Sequence, residues 1–177
     1  MSDKYLVITA VGNDHPGIVN DLTKHILDSG CNISDSRMTI LGGEFAVILM
    51  LSGNWNSIAK LETVLPKAAE SLGLNITCKR TDARSPQSNL ISYHVEALAI
   101  DQPGIVHKVS DFFSSRSINI ESLNSDSYNA AHTGTPMFSL NMTINIPADQ
   151  SIAQLREQFL DYCDELNMDG MMEPVRI

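Results

Sequence analysis

From Lys4 to Val11 the chain is a run rich in branched apolar residues, the composition of a strand. The spacing then changes: Ile18, Val19, Leu22 and Ile26 recur at helical intervals and form one stripe. Gly12 to His15 is the turn between the two. Pro16 suits the first turn of the helix, where its missing N–H is no loss, and Asp14 or His15 is placed to cap it. Gly30 ends the helix. Two further strands, Asn32 to about Leu41 and Phe45 to Leu51, meet at Gly42-Gly43, a hairpin signal. A second helix follows Asn54, with Ile58, Leu61, Leu65, Ala68, Ala69 and Leu72 on its apolar face, and Pro66 inside it is expected to bend it. Leu74 to Lys79 alternates as a last strand.

The same order begins again at Leu90. Asp101-Gln102-Pro103-Gly104-Ile105-Val106 repeats Asp14-His15-Pro16-Gly17-Ile18-Val19 at a separation of 87 residues. At that separation Ile105, Val106, Val109, Phe112 and Phe113 fall on Ile18, Val19, Leu22, His25 and Ile26, and Asn119-Ile120 falls on Asn32-Ile33. Phe138, Leu140, Met142 and Ile144 match Phe45, Val47, Leu49 and Leu51 at a separation of 93, so the second hairpin, around Tyr128 to Pro136, is six residues longer. The last helix carries Ile152, Leu155, Phe159, Tyr162, Cys163 and Leu166, and Pro174 marks an edge strand.

The chain is therefore expected to hold two copies of one module, residues 1–80 and 90–177, joined by a polar linker, 81–89, that contains Pro86. Strand–helix–strand–strand–helix–strand folds most simply as a βαββαβ, ferredoxin-like α+β unit. Each unit is a four-stranded antiparallel sheet with two helices on one face, because both crossovers have the same hand. Strand alternation then assigns the other face. In the second module it holds His94, Glu96, Ser139, Asn141 and Thr143. In the first it holds Val7, Val11, Ala46, Ile48 and Met50, an apolar set expected to be covered by another subunit or a partner.

Charge removes several functions. Lysine and arginine number 12 against 21 acidic residues, a net charge of −9, and a phosphate-backbone binder needs the opposite. The densest basic group, Lys79, Arg80 and Arg84, reads as a solvated strand end. Direct nucleic-acid contact is not expected. The three cysteines, Cys31, Cys78 and Cys163, lack CxxC spacing and lie among apolar periodic positions, so buried reduced thiols are expected. Met1 to Gly12 lacks the features of a signal peptide, and no apolar run approaches a membrane span, so a cytoplasmic protein without membrane contact is expected.

The turns hold the chemistry. Backbone N–H groups at a helix N-terminus attract carboxylates. Gly17 lets a ligand approach the backbone, and Asp14 beside it either holds an ammonium group or only caps the helix. A cradle of donors beside an acid is what a zwitterionic amino acid requires. His15 has Gln102 as its counterpart, which argues against a proton-transfer role common to both copies. No HExxH, paired CxxC, GxxxxGK or GxSxG is present, so no metal, no cofactor and no enzymatic activity are expected.

With its twofold element order and D-x-P-G-I-V at each first turn, the chain resembles a tandem of ACT domains. The resemblance covers both modules and implies regulation by a bound amino acid, with glycine among the candidates. It implies a first site at Asn13, Asp14, His15, Gly17, Ile18, Asn32 and Ile33, and a second at Asp101, Gln102, Gly104, Ile105, Asn119 and Ile120. Asn13 has Ile100 as its counterpart, so the second site has fewer polar side chains. Edge-to-edge pairing of modules, within a chain or in a homo-oligomer, is also implied. Through the same resemblance, which extends to the two-module layout, a negative transcriptional regulator of the glycine cleavage system that works through a DNA-binding activator protein is implied. The alternatives are an ACT-type regulatory subunit of an amino-acid enzyme and a structural interaction module without a ligand.

Overall fold

β1 (Lys4–Asn13), α1 (Ile18–Asp28), β2 (Asn32–Leu41), β3 (Glu44–Gly53), α2 (Trp55–Leu72) and β4 (Leu74–Thr81) form the first unit in a computed structural model that describes residues 4–83 and 89–175. β5 (Leu90–Ile100), α3 (Ile105–Ser114), β6 (Asn119–Asn129), β7 (Pro136–Pro147), α4 (Ile152–Glu165) and β8 (Asp169–Pro174) repeat the order in the second. Each unit holds one four-stranded antiparallel sheet, in the orders β2-β3-β1-β4 and β6-β7-β5-β8. Pro174 lies on an edge strand, where its missing N–H breaks no ladder. Thr81 closes β4, and residues 84–88 of the expected linker, with Arg84 and Pro86, lie outside the described residues.

The units have separate cores. Leu6, Ile8 and Ala10 of β1 and Phe45, Val47, Leu49 and Leu51 of β3 point to one face of the first sheet, where they meet Ile18, Leu22 and Ile26 of α1 and Ile58, Leu61 and Leu65 of α2. Helical period and strand alternation thus converge on one buried layer. The second core replaces much of this aliphatic packing with rings: Phe113 and Phe159 are fully buried, and Phe112 stacks on Tyr162 at 5.2 Å. Both second strands carry a bulge at the same place, at Ser34 and at Glu121. Among the described helices α2 alone has a side-chain cap, Asn54 accepting from the Ser57 N–H at 2.9 Å, and it runs unbroken through Pro66 to Gly73 at φ 65°.

Two expectations are corrected. Val19 and Val106, assigned to the apolar stripes, are 43% and 37% exposed, because each sits at the rim of its helix contact. Cys78 is exposed, whereas Cys31 and Cys163 are buried. β4 is an edge strand, and α2 covers its Leu74 end but leaves Cys78 open. Burial raises the Cys31 thiol pKa and pushes that of Cys163 up to about 11. Iodoacetamide at pH 8 is therefore expected to modify Cys78 alone in the folded protein and all three thiols after unfolding, as intact mass will show.

On the open faces, the first sheet presents Val11 and Ile48, each nearly half exposed, with Val7, Ala46 and Met50 half-buried between them. The second presents His94, whose Nε2 lies 2.9 Å from Glu96 Oε1. The basic group at the end of β4 is partly spent internally, since Arg80 grips both oxygens of Glu62 at 2.9 and 2.6 Å.

Candidate functional site

The repeated motif builds a tight turn. The Ile18 N–H reaches the His15 carbonyl at 3.3 Å, and Gly17 sits at φ 97°, ψ −15°. This is a type II turn, with Pro16 and Gly17 as its central residues. Gly104 repeats the geometry at φ 94°, ψ 2°. The left-handed φ explains the glycine in both copies. It also corrects the expected cap: the helices start at Ile18 and Ile105, after the prolines, and the cap residues are Gly17 and Gly104, with no side-chain cap bond in either. Neither Asp14 nor His15 caps α1, because Pro16 and Gly17 stand between them and the helix.

That leaves the first-turn amides without a side-chain acceptor and Asp14 free of capping duty. Asp14 is exposed, and its own N–H donates to the Gly43 carbonyl at 3.1 Å. The Asp101 N–H donates to the Pro136 carbonyl at 2.9 Å, the same bond from the equivalent place in the longer hairpin. Each turn is therefore tied to the hairpin of its own module. The sequence expectation lacked Gly43 and Pro136; their separation of 93, the same as along β3 and β7, was the available signal. His15 is exposed, with Nδ1 3.3 Å from the Asn13 carbonyl. Asp21 also approaches the first turn, since a Cβ on Gly17 would lie 3.9 Å from its carboxylate. Its counterpart in the second module is Lys108.

Not every expected residue belongs to one place. Asn13, Asp14, His15 and Gly17 form one exposed cluster, and Asp101, Gln102 and Gly104 another. Ile18 and Ile105 are only 3% exposed, so their side chains are core and only their backbone faces the turn. Asn32 and Ile33 lie elsewhere. Asn13 stands opposite Glu44 on β3 and Asn32 opposite Ser52, eight residues further on and about 26 Å away. α1 carries the chain back across the sheet between them. Asn119, opposite Asn145, is likewise at the far end from Asp101, which follows Ile100 opposite Met137. Asn32 and Ile33 instead border a hollow of about 380 Å³ between α1 and β2, with Asn20, Thr23, Lys24 and Leu27. Among the described residues no cluster of His, Cys, Asp and Glu could hold a metal, and no helix is long and apolar enough to cross a membrane.

The ACT-domain family profile matches residues 4–79, the first module. The glycine cleavage system transcriptional repressor of Escherichia coli is 38% identical over 174 residues, which is 98% of this chain and 92% of that protein. A crystal structure ascribed to a glycine cleavage system transcriptional repressor superposes with a TM-score of 0.74 at 29% identity, covering all of both chains. An unknown protein from Galdieria sulphuraria shares the fold, with a TM-score of 0.79 at 23% identity over 99% of this chain and all of that one. The profile, the full-length relative and the repeated βαββαβ topology converge: this chain is a tandem ACT-domain protein and belongs to the family of the glycine cleavage system transcriptional repressor.

Proposed function

We propose that the chain is an amino-acid-responsive regulator, a negative regulator of glycine cleavage system transcription that acts through a DNA-binding protein partner and not by touching DNA. The observation that carries the amino-acid reading is the duplicated type II turn, which sets an exposed aspartate beside a helix start with no side-chain cap. A carboxylate suits the amides and an ammonium suits Asp14 or Asp101. The charge of −9 supports a protein-mediated role, because nothing in it favours a phosphate backbone. No catalytic constellation stands at either turn, which supports a regulator over an enzyme.

The two turns differ in charge. The first adds Asp21 to Asp14, and the second has Lys108 at the equivalent helical position. The second turn lacks Asn13 and His15 but has Lys108, so either turn can be the working ligand site in this proposal. Asn32 joins the first site only if another molecule supplies it. Antiparallel pairing of β2 edges from two copies would bring Asn32 of one copy level with Leu41 of the other, and Leu41 is level with Asn13. The exposed Met38, Ile40 and Leu41 of β2 support such a homo-oligomer.

Glycine has about five heavy atoms, and a ceiling of roughly −1.5 kcal/mol per atom limits its affinity to about −7.5 kcal/mol, a low-micromolar Kd. Its binding would shift the chain between a partner-competent state and another. Calorimetric titration with a panel of amino acids is expected to give saturable binding of glycine in the wild type. That binding is expected to be lost in whichever of Asp14→Ala and Asp101→Ala disables the working turn, with the circular dichroism spectrum unchanged. No heat from any amino acid would remove the sensor reading.

A further inference from the structure

We propose that the second module carries a small-anion site separate from both turns. It is the hollow between the C-terminal end of α3 and the start of α4, and it takes the phosphate or carboxylate group of a small metabolite. The hollow measures about 340 Å³ and is lined by Arg116, Gln150, Ser151, Gln154, Leu155 and Gln158, with no carboxylate in its wall.

Arg116 is held in one pose by neutral groups. Its guanidinium lies 3.8 Å above the Phe112 ring. Nη1 donates to the Phe112 carbonyl at 2.9 Å and to Ser115 Oγ at 3.3 Å, and Nε donates to Gln158 Oε1 at 3.4 Å. Gln150 Nε2 donates to the Arg116 carbonyl at 3.2 Å and fixes the near wall. Nη2 makes no hydrogen bond among the described residues. In a chain of net charge −9, Arg37 and Arg80 have carboxylate partners, while Arg116, like Arg156, has none within 4.0 Å among the described residues. A guanidinium braced by an aromatic ring and neutral acceptors presents a preset fork, the arrangement that binds phosphate or carboxylate. Gln154 and Ser151, exposed on the opposite wall, supply polar groups without charge. The first module has no such device: Ser29 stands in place of Arg116, and Lys60, in place of Gln154, is spent on the Asp28 carbonyl at 2.6 Å.

Arg116 also ties the last turn of α3, so its loss can disturb the fold. Gln154→Glu leaves that tie intact and places a negative charge in the wall. The test follows the Arg116 Nε–H and Gln side-chain amide resonances of the ¹⁵N-labelled full chain during titration with inorganic phosphate and, separately, acetate, at constant ionic strength. Saturable shifts are expected in the wild type, with the anion that saturates at lower concentration naming the group recognised. Arg116→Gln is expected to abolish them and Gln154→Glu to weaken them by about tenfold or more. Shifts that stay linear with both anions, or that are unchanged in Gln154→Glu, would overturn the site.

Discussion

Phe159→Ala is expected to remove about 3–5 kcal/mol from the second module and to leave the first untouched. Phe159 is fully buried, with its ring 5.2 Å from that of Phe113 and 5.4 Å from that of Phe112. Truncation deletes a whole ring from a core whose other members are fixed by the sheet, so the space cannot close. A module of this size has a total stability of about 4–13 kcal/mol, so the loss is a large fraction of it. The chain supplies its own reporter. The one tryptophan, Trp55, is in α2 of the first module. Urea unfolding followed by circular dichroism should split into two steps, the earlier one belonging to the second module, while the midpoint seen by Trp55 fluorescence stays in place. A Trp55 midpoint that falls with the rest would contradict separate cores.

Gly12→Ala should have the converse effect, lowering the Trp55 midpoint by about 2–3 kcal/mol of stability. An ideal Cβ on Gly12 would lie 2.5 Å from the Gly73 carbonyl oxygen and 2.9 Å from Leu74 Cδ2. The first obstacle is backbone, and it cannot swing aside. Gly73 is the left-handed cap of α2, and Leu74 is paired with Gly12 across the sheet. The second module shows what would make room. Ala99 occupies the equivalent position, and there the β5–β8 pairing stops at Leu98 and Asp169, one pair short of the pairing in the first module. Alanine in the first module would have to peel back the Gly12–Leu74 pair, and with it the floor beneath the Asn13–Gly17 turn. Glycine binding, where the first turn is the working one, should weaken in parallel.

Much of this arrangement was legible in residue order because it depends on local periods. Alternation in β3 and β7 marked strands, and the steps through Leu22 and Ile26 or Val109 and Phe113 marked helices. The constant separation of 87, then 93, revealed the duplication and located the longer hairpin. The Asp-x-Pro-Gly turn was picked out as a candidate site by the same route. Its internal geometry was not, because Pro-Gly serves equally as a helix start or as the centre of a type II turn. The Ile18–His15 bond and the φ of Gly17 decide between them.

What the sequence by itself determined is the twofold βαββαβ order, the inward-facing residues of each strand and the pair of turns. Each of these follows from neighbours within one element. Only the tertiary structure decided which distant residues meet. Strand order made β4 an edge and left Cys78 open despite its apolar neighbours. The return of α1 across the sheet put Asn32 about 26 Å from Asp14, although both were expected in one site. Packing of α3 beside α4 brought Gln158, 42 residues away, to Arg116 as a neutral acceptor beside the Phe112 ring and the local acceptors of Phe112 and Ser115, a partner invisible from its place in the chain. Period and turn chemistry act over a few residues, whereas these three outcomes depend on strand order and helix direction, which bring together groups many residues apart.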